Sequence, residues 1–177
     1  MTNRNFIPFP ILTTERLTLR ELSIDDQQNI LMLRSDEEIN KYLDRQPSKT
    51  IEDAINFINK INDNIKTNNS IYWGIMLTKT RTFVGAVCLF NFSYEQNSCE
   101  IGYELMTKFQ GQGIMKEALE KIIEYAFQKL QFQKIIAFTH SGNQHSTKLL
   151  TKFNFAKSIE ADKENPDLNI FTLTHPD

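Results

Sequence analysis

Residues Gln110, Gly111, Gln112, Gly113, Ile114 and Met115 form the stretch that most limits what this chain can become. Two glycines one residue apart close a turn. Beyond them Met115, Ala118, Leu119, Ile122, Ile123, Ala126 and Leu130 recur at helical spacing, so the turn opens directly into an amphipathic helix. Such a start leaves several backbone N–H groups unpaired and pointing one way, at the positive end of the helix dipole. That is a socket for phosphate. It matches neither common glycine-rich phosphate loop. A dinucleotide-binding turn would carry a third glycine where Lys116 stands, and a P-loop would end in Gly-Lys-Ser or Gly-Lys-Thr.

The flanks supply the context. Residues 71–78 and 83–92 are β-rich runs around the polar turn Lys79, Thr80 and Arg81, which predicts an antiparallel hairpin. Residues 98–106 add a third strand, with Cys99, Ile101, Tyr103 and Leu105 on one face and Glu100, Gly102 and Glu104 on the other. After the helix, residues 134–139 form a strand. A strand–helix–strand connection places this strand parallel to the one before the turn. A helix over 143–152 and strands over 155–161 and 168–173 complete the C-terminal half.

Upstream, residues 12–22 alternate Leu17, Leu19 and Leu22 against Arg16, Thr18 and Arg20, the pattern of one strand with a solvated side. Ser23 and Asp26 make a capping signal for a short helix through Ile30 and Leu33, and a weaker helix covers 37–42. Thr50, with Asp53 three positions on, caps the best-marked helix of this half, in which Ile51, Ala54, Ile55, Ile58, Ile61 and Ile65 share a face. Tyr72 and Trp73 read as strand core, with the wall of a substrate groove as the alternative. No internal repeat or linker interrupts residues 1–177, so a single domain is expected.

Bulk charge narrows the partners. The formal net charge of −2 and pI near 6.0 advertise no nucleic-acid surface. Cys88 and Cys99 fall inside strand-like runs, outside any Cys-x-x-Cys pair, and are expected to be buried free thiols suited to a reducing cytoplasm. No window approaches 18 apolar residues and the first ten residues lack a signal-peptide core, so a cytoplasmic protein without a membrane partner is expected. No His, Cys or carboxylate spacing argues for a metal. No apolar stripe is surplus to the core, which leaves monomer and homodimer both open.

Taken in order, the sequence resembles the GCN5-related N-acetyltransferase (GNAT) superfamily, and within it the ribosomal-protein N-terminal acetyltransferases (RimJ/RimL-like). The resemblance rests on Thr14-Glu15-Arg16-Leu17-Thr18-Leu19-Arg20, on Glu100-Ile101-Gly102-Tyr103, on Gly111-Gln112-Gly113 with Glu117-Ala118, and on Asn143 with Ser146. It spans about residues 11–173. It implies a mixed α/β fold: a mostly antiparallel sheet of about seven strands flanked by helices, with a splayed parallel pair. It further implies acetyl-CoA as the cosubstrate, held by Gln110, Gly111, Gln112, Gly113, Ile114, Met115 and Lys116, with Asn143 as a further CoA contact. Ser146 would stand near the CoA sulfur, Glu100 would be the general base, and Glu104, on the same strand face, could assist or replace it; read from the residues alone, Asn143 and Ser146 are equally placed to be helix caps and nothing more. The signature prefers Gly or Ala where Met115 stands, but a side chain there can point into the core while its N–H still serves.

The implied reaction moves an acetyl group to a primary amine, in the first instance the N-terminal α-amine of a protein such as a ribosomal protein. A small amine, such as a polyamine or an antibiotic, is the alternative acceptor, and a non-catalytic acyl-CoA-binding module is the alternative class. Acetyl transfer requires a neutral nitrogen, a polarised thioester carbonyl and a proton for the departing thiolate. Deprotonating an α-amine of pKa near 8 costs roughly 1.4 kcal/mol at pH 7, against roughly 4.6 kcal/mol for a lysine amine. One carboxylate is therefore adequate help for a terminal amine.

Overall fold

The computed structural model describes residues 4–159 and 162–176. Its strands are β1 (Leu12–Thr13), β2 (Leu17–Arg20), β3 (Ile71–Leu77), β4 (Thr82–Ser93), β5 (Ser98–Leu105), β6 (Lys134–His140), β7 (Ala156–Lys157) and β8 (Leu168–Thr174). They form one sheet in the order β1-β2-β3-β4-β5-β6-β8-β7, antiparallel throughout except for β5 and β6. The helices are α1 (Gln27–Ser35), α2 (Glu37–Asn40), α3 (Ile51–Lys66), α4 (Ile114–Gln128) and α5 (Gln144–Lys152).

Eight strands are present where about seven were expected, because residues 12–22 are not one strand. The Thr14 N–H donates to the Leu17 carbonyl, and the turn lays Leu12 against Leu19. Arg20 is not on a solvated side: its guanidinium grips buried Asp26 with two bonds of 2.8 Å. Within the run expected over 155–161 only Ala156 and Lys157 are regular strand among the described residues, and Glu160 and Ala161 lie outside them.

The alternation of β3 sends its two large aromatics to opposite faces. Trp73 is fully buried beneath α4, among Leu17, Val87, Ala118 and Ile122. Its Nε1–H donates to the Pro10 carbonyl at 2.8 Å and so ties down the N-terminal arm. Tyr72 faces the α1 and α3 side, with Ile30, Leu33, Ala54 and Ile58. Each of the Ile and Leu side chains contributes roughly 1.5–3 kcal/mol on burial. α3 owes its start to Thr50, which accepts from the Asp53 N–H while the Asp53 carboxylate accepts from the Thr50 N–H. No helix among the described residues is long and apolar enough to cross a membrane.

Candidate active site

α4 begins differently from its neighbours. α2, α3 and α5 each start on a side-chain cap, from Asp36, Thr50 and Asn143; α4, like α1, has none, and it alone of the five starts on a glycine, Gly113. Gly113 and Gly111 have φ of 76° and 74°, the left-handed region that an L side chain enters only at a cost. The N–H groups of Ile114, Met115 and Lys116 donate to no described residue, while that of Glu117 closes back on the Gly113 carbonyl. Met115 packs its side chain into the core, as expected of a bulky residue whose N–H remains free.

The turn is braced from both sides. Gln110 donates its amide to the Leu105 carbonyl and Gln112 to that of Lys108, so both glutamine side chains are spent on the loop. Glu117 accepts from the Thr14 hydroxyl and the Arg16 N–H, and pairs with the Arg16 guanidinium at 2.6 Å. Arg16 reaches on to the Gln112 carbonyl, so the β1–β2 turn clamps the first turn of α4. The alternating pattern had assigned Arg16 only to a solvated strand face.

Beside this turn the parallel pair parts. β5 and β6 are in register only at Ser98, Cys99 and Glu100, opposite Lys134, Ile135 and Ile136, although β5 runs on to Leu105 and β6 to His140. Glu100 is the last rung. It lies opposite Phe90, where β4 becomes irregular. Burial raises its pKa, and a hydrogen bond with the Asn91 side chain works the other way.

Past the parting, the Tyr103 and Ser146 hydroxyls are hydrogen-bonded at 2.8 Å. Asn143 sets Ser146 in place by accepting from its N–H at 3.1 Å. Burial pushes the Tyr103 phenol up to about 12, against the Ser146 hydrogen bond, so it is protonated at neutral pH and able to donate. Tyr103 was not among the expected site residues. In the strand alternation nothing sets it apart from Ile101 and Leu105; only its place in the Glu100-Ile101-Gly102-Tyr103 motif marked it.

Between the α1–α3 layer and β3–β5 lies a cavity of about 360 Å³, with Arg34, Arg45, Tyr72, Cys88, Tyr103 and Glu104 among its lining. Glu104 is held by Arg45 at 2.7 and 3.1 Å. Glu100 does not line this space. A Cβ on Gly102 would meet the Cys88 Sγ at 3.2 Å and Phe90 at 3.3 Å, so a glycine fits here where a larger residue would crowd the wall. Cys99 is buried and free, as expected, but Cys88 is only half-buried and looks into the cavity, its thiol pushed up to about 12 by burial. Among the described residues no His, Cys, Asp and Glu side chains gather as metal ligands.

The glycine-led start of α4, the parted β5–β6 pair and the cavity on the α1–α3 side of the sheet together have the form expected of an acyltransferase that takes its donor from coenzyme A. The acetyltransferase (GNAT) domain family matches residues 16–156, and the chain belongs to that family of acetyl-CoA-dependent N-acetyltransferases. It is 30% identical to the uncharacterized N-acetyltransferase YoaA of Bacillus subtilis over 174 residues, covering 95% of this chain and 98% of that one. It is 29% identical to the ribosomal protein uS5 alanine N-acetyltransferase of Escherichia coli over 127 residues, 66% of this chain and 64% of that one. In fold it is similar to the Vibrio cholerae spermidine N-acetyltransferase solved with CoA and spermine, with a TM-score of 0.79 at 20% identity over 91% of this chain and 96% of that one. The residues at the start of α4 fit the donor: three free N–H groups, two left-handed glycines and open space around Gly111.

Proposed function

We propose that this N-acetyltransferase acts on the N-terminal α-amine of a protein; the uS5 relative, whose name gives an alanine of a ribosomal protein as its acceptor, supports a protein substrate. The supporting observation is the charge of the cavity: two guanidiniums, Arg34 and Arg45, face one carboxylate, Glu104, which Arg45 already occupies. A polyamine would bring further positive charges into that lining. A peptide terminus brings one amine and a backbone rich in hydrogen-bonding groups.

In this reading the N–H groups of Ile114, Met115 and Lys116 hold the pyrophosphate, with Arg16 beside them, and Gln110 to Gly113 shape the loop that presents them. Asn143 positions Ser146. Glu100, just outside the cavity lining but on the same β5 face as its wall residues Gly102 and Glu104, takes the proton of the acceptor amine where β5 and β6 part, and the Tyr103–Ser146 pair supplies one to the departing thiolate. Transfer is direct, without an acyl-enzyme. Glu104 is a wall of the acceptor site, held by Arg45. The chain works as a single domain, and the free thiols suit the cytoplasm.

The test is incubation of purified protein and acetyl-CoA with N-terminal peptides, polyamines and aminoglycosides. Acetylated peptide is expected. Preferential acetylation of a polyamine would move the acceptor class. Thermal stabilisation by CoA with no product from any acceptor would favour a binding module.

A further inference from the structure

We infer that the cavity reads a carboxylate carried by the acceptor, with Arg34 and Tyr72 as its anchors, so that the substrate class is an amine and a carboxylate that fit one cavity together. This rests on the acceptor reading above. Three observations lead to it.

Arg34, on α1, forms no ion pair with a carboxylate among the described residues, and Glu104, the carboxylate lining its cavity, pairs with Arg45. Its Nε–H reaches the Ser48 hydroxyl at 3.3 Å, and its two terminal nitrogens donate to no described residue. Its guanidinium carbon lies 3.9 Å from the Phe57 ring centroid, which holds the planar fork in place over the cavity wall. Burial first, and then the neighbouring Arg45, lower the Arg34 pKa, and the opposing charge of Glu104, itself paired with Arg45, offsets only part of that.

Tyr72, on β3, is 6% exposed, and its hydroxyl is buried without a hydrogen-bond partner. A buried orphan hydroxyl is uncommon in a folded protein and costly unless something satisfies it. Burial keeps this phenol protonated, so it is a donor. Arg34 and Tyr72 line the same cavity, and Glu104, its one carboxylate, is already engaged by Arg45. A forked cation and a neutral donor, both unspent, match the two oxygens of a carboxylate. A polyamine has no group for either.

Two sources of that carboxylate are distinguishable: an acidic side chain near the start of a peptide, or the α-carboxylate of a free amino acid. The experiment measures kcat/KM of the full-length protein with acetyl-CoA and matched hexapeptides carrying Glu or Gln at the second position, alongside free amino acids and their amides. The acid form is expected to be preferred about 10-fold or more, as a charge-assisted hydrogen bond warrants. Preference within the peptide pair assigns the carboxylate to a side chain; preference of the free acid over its amide assigns it to the α-carboxylate. Arg34→Gln should bring the acid-to-amide ratio to near one, Arg34→Lys should keep part of it, and Tyr72→Phe should reduce it.

Equal turnover of acid and amide in both arms, or a preference that survives Arg34→Gln, overturns the inference. Calorimetric binding of the same acceptors to the CoA-saturated protein separates this from the enzymatic reading. Tighter binding of the acid form without acetylation sinks the proposed activity and supports the carboxylate site. Equal binding sinks the site.

Discussion

The Tyr103 hydroxyl stands 2.8 Å from that of Ser146, linking β5 to the helix that follows β6 just beyond the point where those strands separate. If the two act as one proton donor, Tyr103→Phe and Ser146→Ala should each lower kcat by roughly 10²-fold. The double variant should lose little more than either single one, because partners in one relay are not additive. Steady-state kinetics on the three variants checks this; losses that multiply would assign the hydroxyls separate tasks.

Glu100 gives a pH signature that the acceptor amine alone does not. Its pKa is raised by burial, so the carboxylate is lost as pH falls through that elevated value. Below it, both the amine and the base must shed a proton, and log(kcat/KM) should climb with a slope of about 2, reduced to about 1 in Glu100→Gln, with a rate loss of roughly 10²-fold or more. Stability moves the opposite way. A carboxyl whose folded pKa exceeds its unfolded one contributes stability at low pH that is lost as pH rises through the folded value. Glu100→Gln should therefore be more stable than the parent at pH 8, with the gap closing on acidification. An unchanged rate profile would pass the role to Glu104 or to water.

Arg20 and Asp26 anchor β2 to the start of α1. Burial works to raise the Asp26 pKa, but hydrogen bonds from Arg20 and the Ser23 N–H outweigh it and hold it low. The stability they contribute is present above the unfolded value near 3.9 and is lost as pH falls through the lower folded one. Asp26→Asn should cost about 2 kcal/mol at pH 7, between exposed and buried pairs because Arg20 retains 30% exposure of its side chain. Urea titrations at pH 7 and pH 3 should show the difference shrinking with acidification.

Sequence alone reached furthest where one local rule decided the outcome. The Thr50–Asp53 cap, the hairpin about Lys79 to Arg81 and the glycine-led start of α4 all lie where expected, and so does the parallel pairing of β5 with β6. It missed what depends on distant partners. Arg16 and Arg20 occupy exposed positions of a strand pattern, and only the approach of Glu117 and of Asp26 turns them into structural groups. Tyr103 was ordinary until α5 brought Ser146 to it. Tyr72 and Trp73 had one reading between them, core or groove wall; each side of β3 took one.

Trp73 is the only tryptophan in the chain. It is sealed from solvent, with the Phe9 ring 6.1 Å away on the N-terminal arm and the Tyr125 ring 5.6 Å away on α4. Its fluorescence is thus a built-in, label-free optical gauge of how α4 sits on the sheet. With the donor's pyrophosphate proposed to sit at the start of α4, titrating coenzyme A against that emission follows the helix from its far end.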